Sequence, residues 1–135
     1  MAFLPELGTY LAATVSHTSL TLGTNLFLGR LPDTPDTCVG VIETGGQSPV
    51  EAMGGSTLPA YTRPRAQLLV RAADYATASG LAEDCFKKLS LIDNESLSGV
   101  YYLRVEGLQS PFYLDRDGQE RAVFSCNYQT SRVLA

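Results

Sequence analysis

The chain has 135 residues, enough for one domain with one sizeable core, and 44% apolar against 18% charged residues exclude intrinsic disorder. A net charge of −4 and a pI near 4.8 exclude a protein whose main work is gripping nucleic-acid phosphates, which takes clustered Lys and Arg. No apolar run reaches the roughly 18–20 residues that span a bilayer, and Met1 to Glu6 carries no basic segment ahead of an apolar stretch, so neither a membrane span nor a secretory signal is expected.

In chain order, Leu4, Leu7, Leu11 and Val15 fall at three- and four-residue spacing. They predict a helix over Phe3 to Val15, with Pro5 and Glu6 in its first turn. His17-Thr18-Ser19 ends it. Leu20-Thr21-Leu22, a Gly23-Thr24-Asn25 break and Leu26 to Leu31 follow, the last read as strand. Pro32-Asp33-Thr34-Pro35-Asp36 is a rigid turn, because two prolines fix φ and two Asp side chains can cap nearby amides. Thr37 to Thr44 is a short strand with Val39 and Val41 on one face. Gly45 to Pro64 then carries four glycines and three prolines without periodicity, so a long loop is expected there.

Arg65 to Ala72 reads as a central strand flanked by arginines. Asp74 is placed to cap a helix whose stripe is Ala78, Leu81, Ala82, Cys85 and Leu89, with Lys87 and Lys88 at its negative end. Residues 90–99 read as a polar connector. Val100 to Leu108 is a strand, with Tyr101, Leu103 and Val105 expected on its buried side. Pro111 to Leu114 runs into an Asp117-Gly118 turn, and a long strand returns from Glu120 to about Arg132. In that strand Ala122, Phe124, Cys126, Tyr128 and Thr130 share one face, expected to be buried. This order predicts a single α+β domain over 1–135: a mostly antiparallel β-sheet with helices packed on it.

Chemistry is sparse. The one histidine, His17, is not accompanied by a G-x-S-x-G elbow, and Gly45-Gly46 and Gly54-Gly55 match no phosphate-binding pattern. Cys38, Cys85 and Cys126 lack metal-ligand spacing and read as reduced, buried thiols, with a disulfide between two of them left open. Asp115 and Asp117 lack the remaining ligands of a calcium loop and read as solvated turn charge. Arg63, Arg65 and Arg71 are too few for a nucleic-acid stripe. No catalytic residue, cofactor or metal is therefore expected.

The ordered set Leu31-Pro32-Asp33-Thr34-Pro35-Asp36, Glu43-Thr44-Gly45-Gly46, Arg63 to Arg71 running into Asp74 to Ala78, Gln109-Ser110-Pro111-Phe112 and Phe124 to Tyr128 resembles the phage minor capsid family related to tail terminator proteins of long-tailed bacteriophages. The resemblance covers about residues 1–133. It implies a virion protein, assembled in the host cytoplasm, that forms a ring, hexameric in the family, at the head-proximal end of the tail tube. Its implied partners are further copies of itself, the tail tube protein and the head-tail connector or stopper, with genome DNA passing through unread and no membrane involved. Such a ring needs contacts at strand edges and loops. The 45–64 segment is the natural candidate, with Val50, Met53, Leu58 and Tyr61 together with Arg63 and Arg65, and it is expected to become ordered against a neighbour. The alternatives are another neck ring, such as a stopper or head-completion protein, and, from another class, a small hydrolase using His17 with a nearby serine.

Overall fold

A computed structural model describes residues 3–51 and 59–133. The elements are α1 (Phe3–Thr14), β1 (Leu26–Leu28), β2 (Cys38–Glu51), β3 (Pro59–Ala72), α2 (Tyr75–Ser90), β4 (Asp93–Leu97), β5 (Val100–Gly107), β6 (Phe112–Arg116) and β7 (Ala122–Val133). The strands form one curled, mixed sheet in the order β1-β2-β3-β7-β5-β4, with β6 also paired to β7. Among the described strands only the β1–β2 pair is parallel. β5 and β6 run in the same direction along one side of β7, opposite its C-terminal and N-terminal halves, so they act as one strand interrupted at 108–111.

Both helices cover one face of this sheet, and the alternation of apolar residues sets which face that is. Val39 and Val41 of β2, Leu68 and Val70 of β3, and Phe124, Cys126 and Tyr128 of β7 all point inward. α1 meets them with Phe3, Leu7 and Leu11, and α2 with Ala78, Leu81, Ala82, Cys85 and Leu89. The α2 stripe is the one read from spacing. Its cap is also as expected: Asp74 Oδ2 accepts from the Thr77 amide at 3.1 Å. A hydrogen bond to the Thr77 side chain, then the amide, holds the Asp74 carboxyl below its ordinary value. All three cysteines are free and buried, which closes the disulfide alternative.

Four expectations are corrected. First, the stretch 45–64 is not a loop where the structure describes it. Residues 45–51 extend β2 and residues 59–64 begin β3, giving a long hairpin arm; residues 52–58 lie outside the described set. Gly45 and Gly46 fall at a register shift between Thr44 and Gln47, a bulge rather than a turn. Pro64 supplies no amide to the ladder, and β7 side chains take up the slack: Thr130 Oγ1 donates to the Pro64 carbonyl at 2.7 Å, and Gln129 Nε2 to that of Arg63 at 2.9 Å. Beyond β1, the distal part of β2 is a sheet edge, where a proline such as Pro49 is tolerated.

Second, the 90–99 connector contains strand β4, paired to β5 despite a polar sequence, DNESL, with low strand propensity. Third, the buried residues of β5 are Val100, Tyr102 and Val105, not Tyr101 and Leu103. A register shift between Tyr102 and Arg104 breaks the period-two pattern and re-aims the strand. Fourth, the strand expected over 26–31 stops at Leu28, and Gly29 takes a left-handed φ of 81° that ends it.

Candidate assembly interface

The sheet face away from the helices divides into two regions. At one end the Pro-Asp turn 32–36 folds over it and is held by two arginines. Arg71 donates through Nη2 to the Pro35 carbonyl at 2.7 Å and through Nε to that of Asp36 at 3.3 Å. Arg121, its side chain 5% exposed, reaches the Asp33 carbonyl, the Asp36 carboxylate at 3.1 Å and Asp117 Oδ2 at 2.8 Å. Asp117 also accepts from the amides of Gln119 and Arg121. Burial pushes its carboxyl up, but those amides and the guanidinium outweigh it and hold the group below the usual carboxylate range. Asp117 is thus a structural ligand of Arg121, not solvated turn charge. The sequence signal was its four-residue spacing to Arg121 across a tight turn.

The other region is open. The β3–β7 register places Tyr61, Arg63, Arg65 and Gln67 in one row on this face, beside Asn127 and Gln129 of β7. Of the six residues expected at the interface, the structure therefore brings Tyr61, Arg63 and Arg65 together. Val50 lies opposite Tyr61 in the β2–β3 ladder; Met53 and Leu58 lie outside the described residues. Arg63 Nε donates to the Ser48 carbonyl at 2.8 Å, and Arg65 Nε donates to Gln129 Oε1 at 2.6 Å. Arg65 also borders a recess of about 350 Å³ with Thr44, Gly45, Leu108, Gln109 and Asn127.

Next to this recess the edge at Leu108 and β6 exposes large apolar side chains that the sequence reading did not single out. Leu108 is 47% and Leu114 48% exposed, with Phe112 and Tyr113 also at the surface. Tyr113 packs on Phe124 and on Tyr75 at the start of α2, with ring centroids 5.7 and 5.5 Å apart. Edge strands of soluble proteins are usually blunted with charge, so an apolar edge of this kind is a candidate contact surface. The break after Leu108 and the new start at Pro111 were legible in the sequence; that they open an apolar edge was not.

His17 sits against α2. Its Nδ1 lies 3.1 Å from the Thr18 hydroxyl, and its ring packs against Gly80, where an added Cβ would collide with it. The neighbouring carboxylate, Asp84, is engaged by the backbone amides of Ser16 and His17, both at 2.9 Å. Asp84 therefore ties α2 to the chain leaving α1. Burial pushes its carboxyl up, yet the two amides and Lys88 hold it below the usual range. Among the described residues no cluster of three or more His, Cys, Asp or Glu could hold a metal ion, and no helix is long and apolar enough to cross a membrane.

A family model described as bacteriophage tail terminator protein matches residues 12–134. Comparison with curated protein sequences finds no match. Among solved structures, a chain from the virion of a native gene transfer agent particle is similar in fold, with a TM-score of 0.61 over 92% of this chain and 84% of that one, at 17% identity. The chain belongs to the bacteriophage tail terminator family, a family of phage structural proteins.

Proposed function

We propose that this member of the tail terminator family forms a ring, a hexamer, on the head-proximal end of the tail tube. There it ends tube polymerisation and offers its outer surface to the head connector or stopper. The observation that carries this reading is the family match over 12–134, nearly the whole folded unit. The surface supports it: a rigid sheet with an arginine row that has no carboxylate partner among the described residues, and with an exposed apolar edge, suits a subunit whose contacts lie with other copies. The fold neighbour from a gene transfer agent virion is in keeping with a place in a particle.

In this reading Tyr61, Arg63 and Arg65, with Val50, Met53 and Leu58 of the same 45–64 segment, contribute to contact with a neighbouring subunit or the next ring. DNA passes through the hole without being read. A net charge of −4 favours passage over adhesion.

The test is to mix purified protein with assembled tail tubes and image the tubes. A ring capping one end of each tube is the expected result. Protein that remains monomeric and leaves both ends bare overturns the reading. A label found on tailless filled heads but never on isolated tails moves the protein to the stopper layer instead.

A further inference from the structure

Arg65 is a half-buried cation in an unusual setting. Its Nε is fixed by Gln129, whose own amide is tied to the Arg63 carbonyl, so the guanidinium is held in one orientation. No carboxylate lies within ion-pair distance of it among the described residues. Thr44 and Asn127, whose side chains can both donate, border the same recess, and Gly45 leaves its wall without a side chain. The recess is flanked by the exposed apolar edge at Leu108 and by Phe112, which pairs with Ser125 on this same face. An oriented arginine beside exposed apolar groups has the make-up of an interface centre, and its donors call for a carboxylate.

The chain carries the complement at the far edge of the same sheet. Strand β4 is the terminal strand, and Asp93 and Glu95 on it are exposed. Arg104 lies opposite Asp93 in the ladder but reaches Glu106 instead, at 3.7 Å. Neither Asp93 nor Glu95 has a cation within ion-pair distance among the described residues. The same edge exposes two apolar groups, Leu91 at 68% and Tyr101, opposite Ser96, at 39%; Glu95 lies opposite Tyr102 and also borders a recess with Tyr10 of α1. Two complementary patches at different places on one chain cannot meet each other. They can meet between copies, head to tail, and contacts of that kind close into rings.

We infer that the Arg65 recess is the receptor for the acidic β4 edge, Asp93 and Glu95, of the next copy of this chain. The inference rests on the ring reading and adds to it the pair of surfaces and the charge that sets their register. Such a contact gives salt-dependent assembly, because both patches are open to solvent in the free subunit.

The test is a charge exchange, read as ring formation by native mass spectrometry and on tail tubes. Arg65→Glu, and separately Asp93→Lys with Glu95→Lys, are each expected to weaken association on the order of tenfold or more, and the combination to restore it. The β4 pair sits on an exposed edge, so it reports on the contact even where Arg65→Glu disturbs folding; circular dichroism checks each variant. Rings from Arg65→Glu or from the β4 variant as abundant as wild type overturn the inference and leave the ring reading standing. So does a combined variant no better than the singles. Wild-type protein that never forms rings on tubes overturns the ring reading itself, and the inference with it.

Discussion

Glu6 has no exposed surface, and its carboxylate receives Arg132 Nη2 at 2.8 Å, Arg132 Nε at 3.1 Å and the Tyr102 hydroxyl at 2.6 Å. Burial first and then Glu6 push the Tyr102 phenol well up, so it stays a donor throughout the physiological range. Removing one member of such a group strands the others, so Glu6→Ala is expected to cost about 3 kcal/mol in denaturant unfolding. From the sequence Glu6 reads only as a first-turn charge, because its partner lies 126 residues away. Asp84 and Asp117 give a pH dependence of definite sign. Their folded values are depressed, so their contribution is present at neutral pH and is lost as pH falls through those values. The stability gap between wild type and Asp84→Asn is therefore expected to close as pH drops from about 5 to about 2, in urea titrations across that range. Burial, then Asp84, pushes the Cys85 thiol up to about 12. Iodoacetamide at pH 8 is expected to leave Cys85 unmodified in the folded protein and to label it once urea unfolds the chain.

The elements that were legible are those whose periodicity is unbroken. The α2 stripe and the inward face of β7 were read residue by residue, since each packs against a continuous layer; Ser125, on the face expected to be wet, is buried as well. What escaped were elements whose local preference is overridden by pairing: β4, polar along most of its length, and the arm 45–51 with 59–64, rich in Gly and Pro. A ladder on β5 holds the first, and ladders between β2, β3 and β7 hold the second. β5 escaped in part because one bulge inverts its face. The candidate row was legible as residue types at Tyr61, Arg63 and Arg65; that they share a face depended on seeing β3 begin at Pro59. Gly46 tests the arm. A Cβ there would sit inside contact distance of the Arg63 carbonyl oxygen, a backbone atom that cannot move aside alone. Gly46→Val is thus expected to raise amide hydrogen exchange across 43–51 and 61–65, while α2 and the middle of β7 keep wild-type protection. Unchanged exchange in the arm would show that it is not paired as described.

At the scale of the whole molecule the chain is a helix-backed sheet whose uncovered face is locked at one end and open at the other. Arg71 and Arg121 pin the Pro-Asp turn over the first end. The second presents the arginine row, the recess and the apolar edge. In the proposed ring that open end is where contacts with other copies lie. The most direct measurement is the tail-length distribution in electron micrographs of particles made without this protein. The account predicts tails of uncontrolled length, unattached to filled heads, with both defects repaired by supplying the protein. Tails of wild-type length joined normally to heads would contradict it.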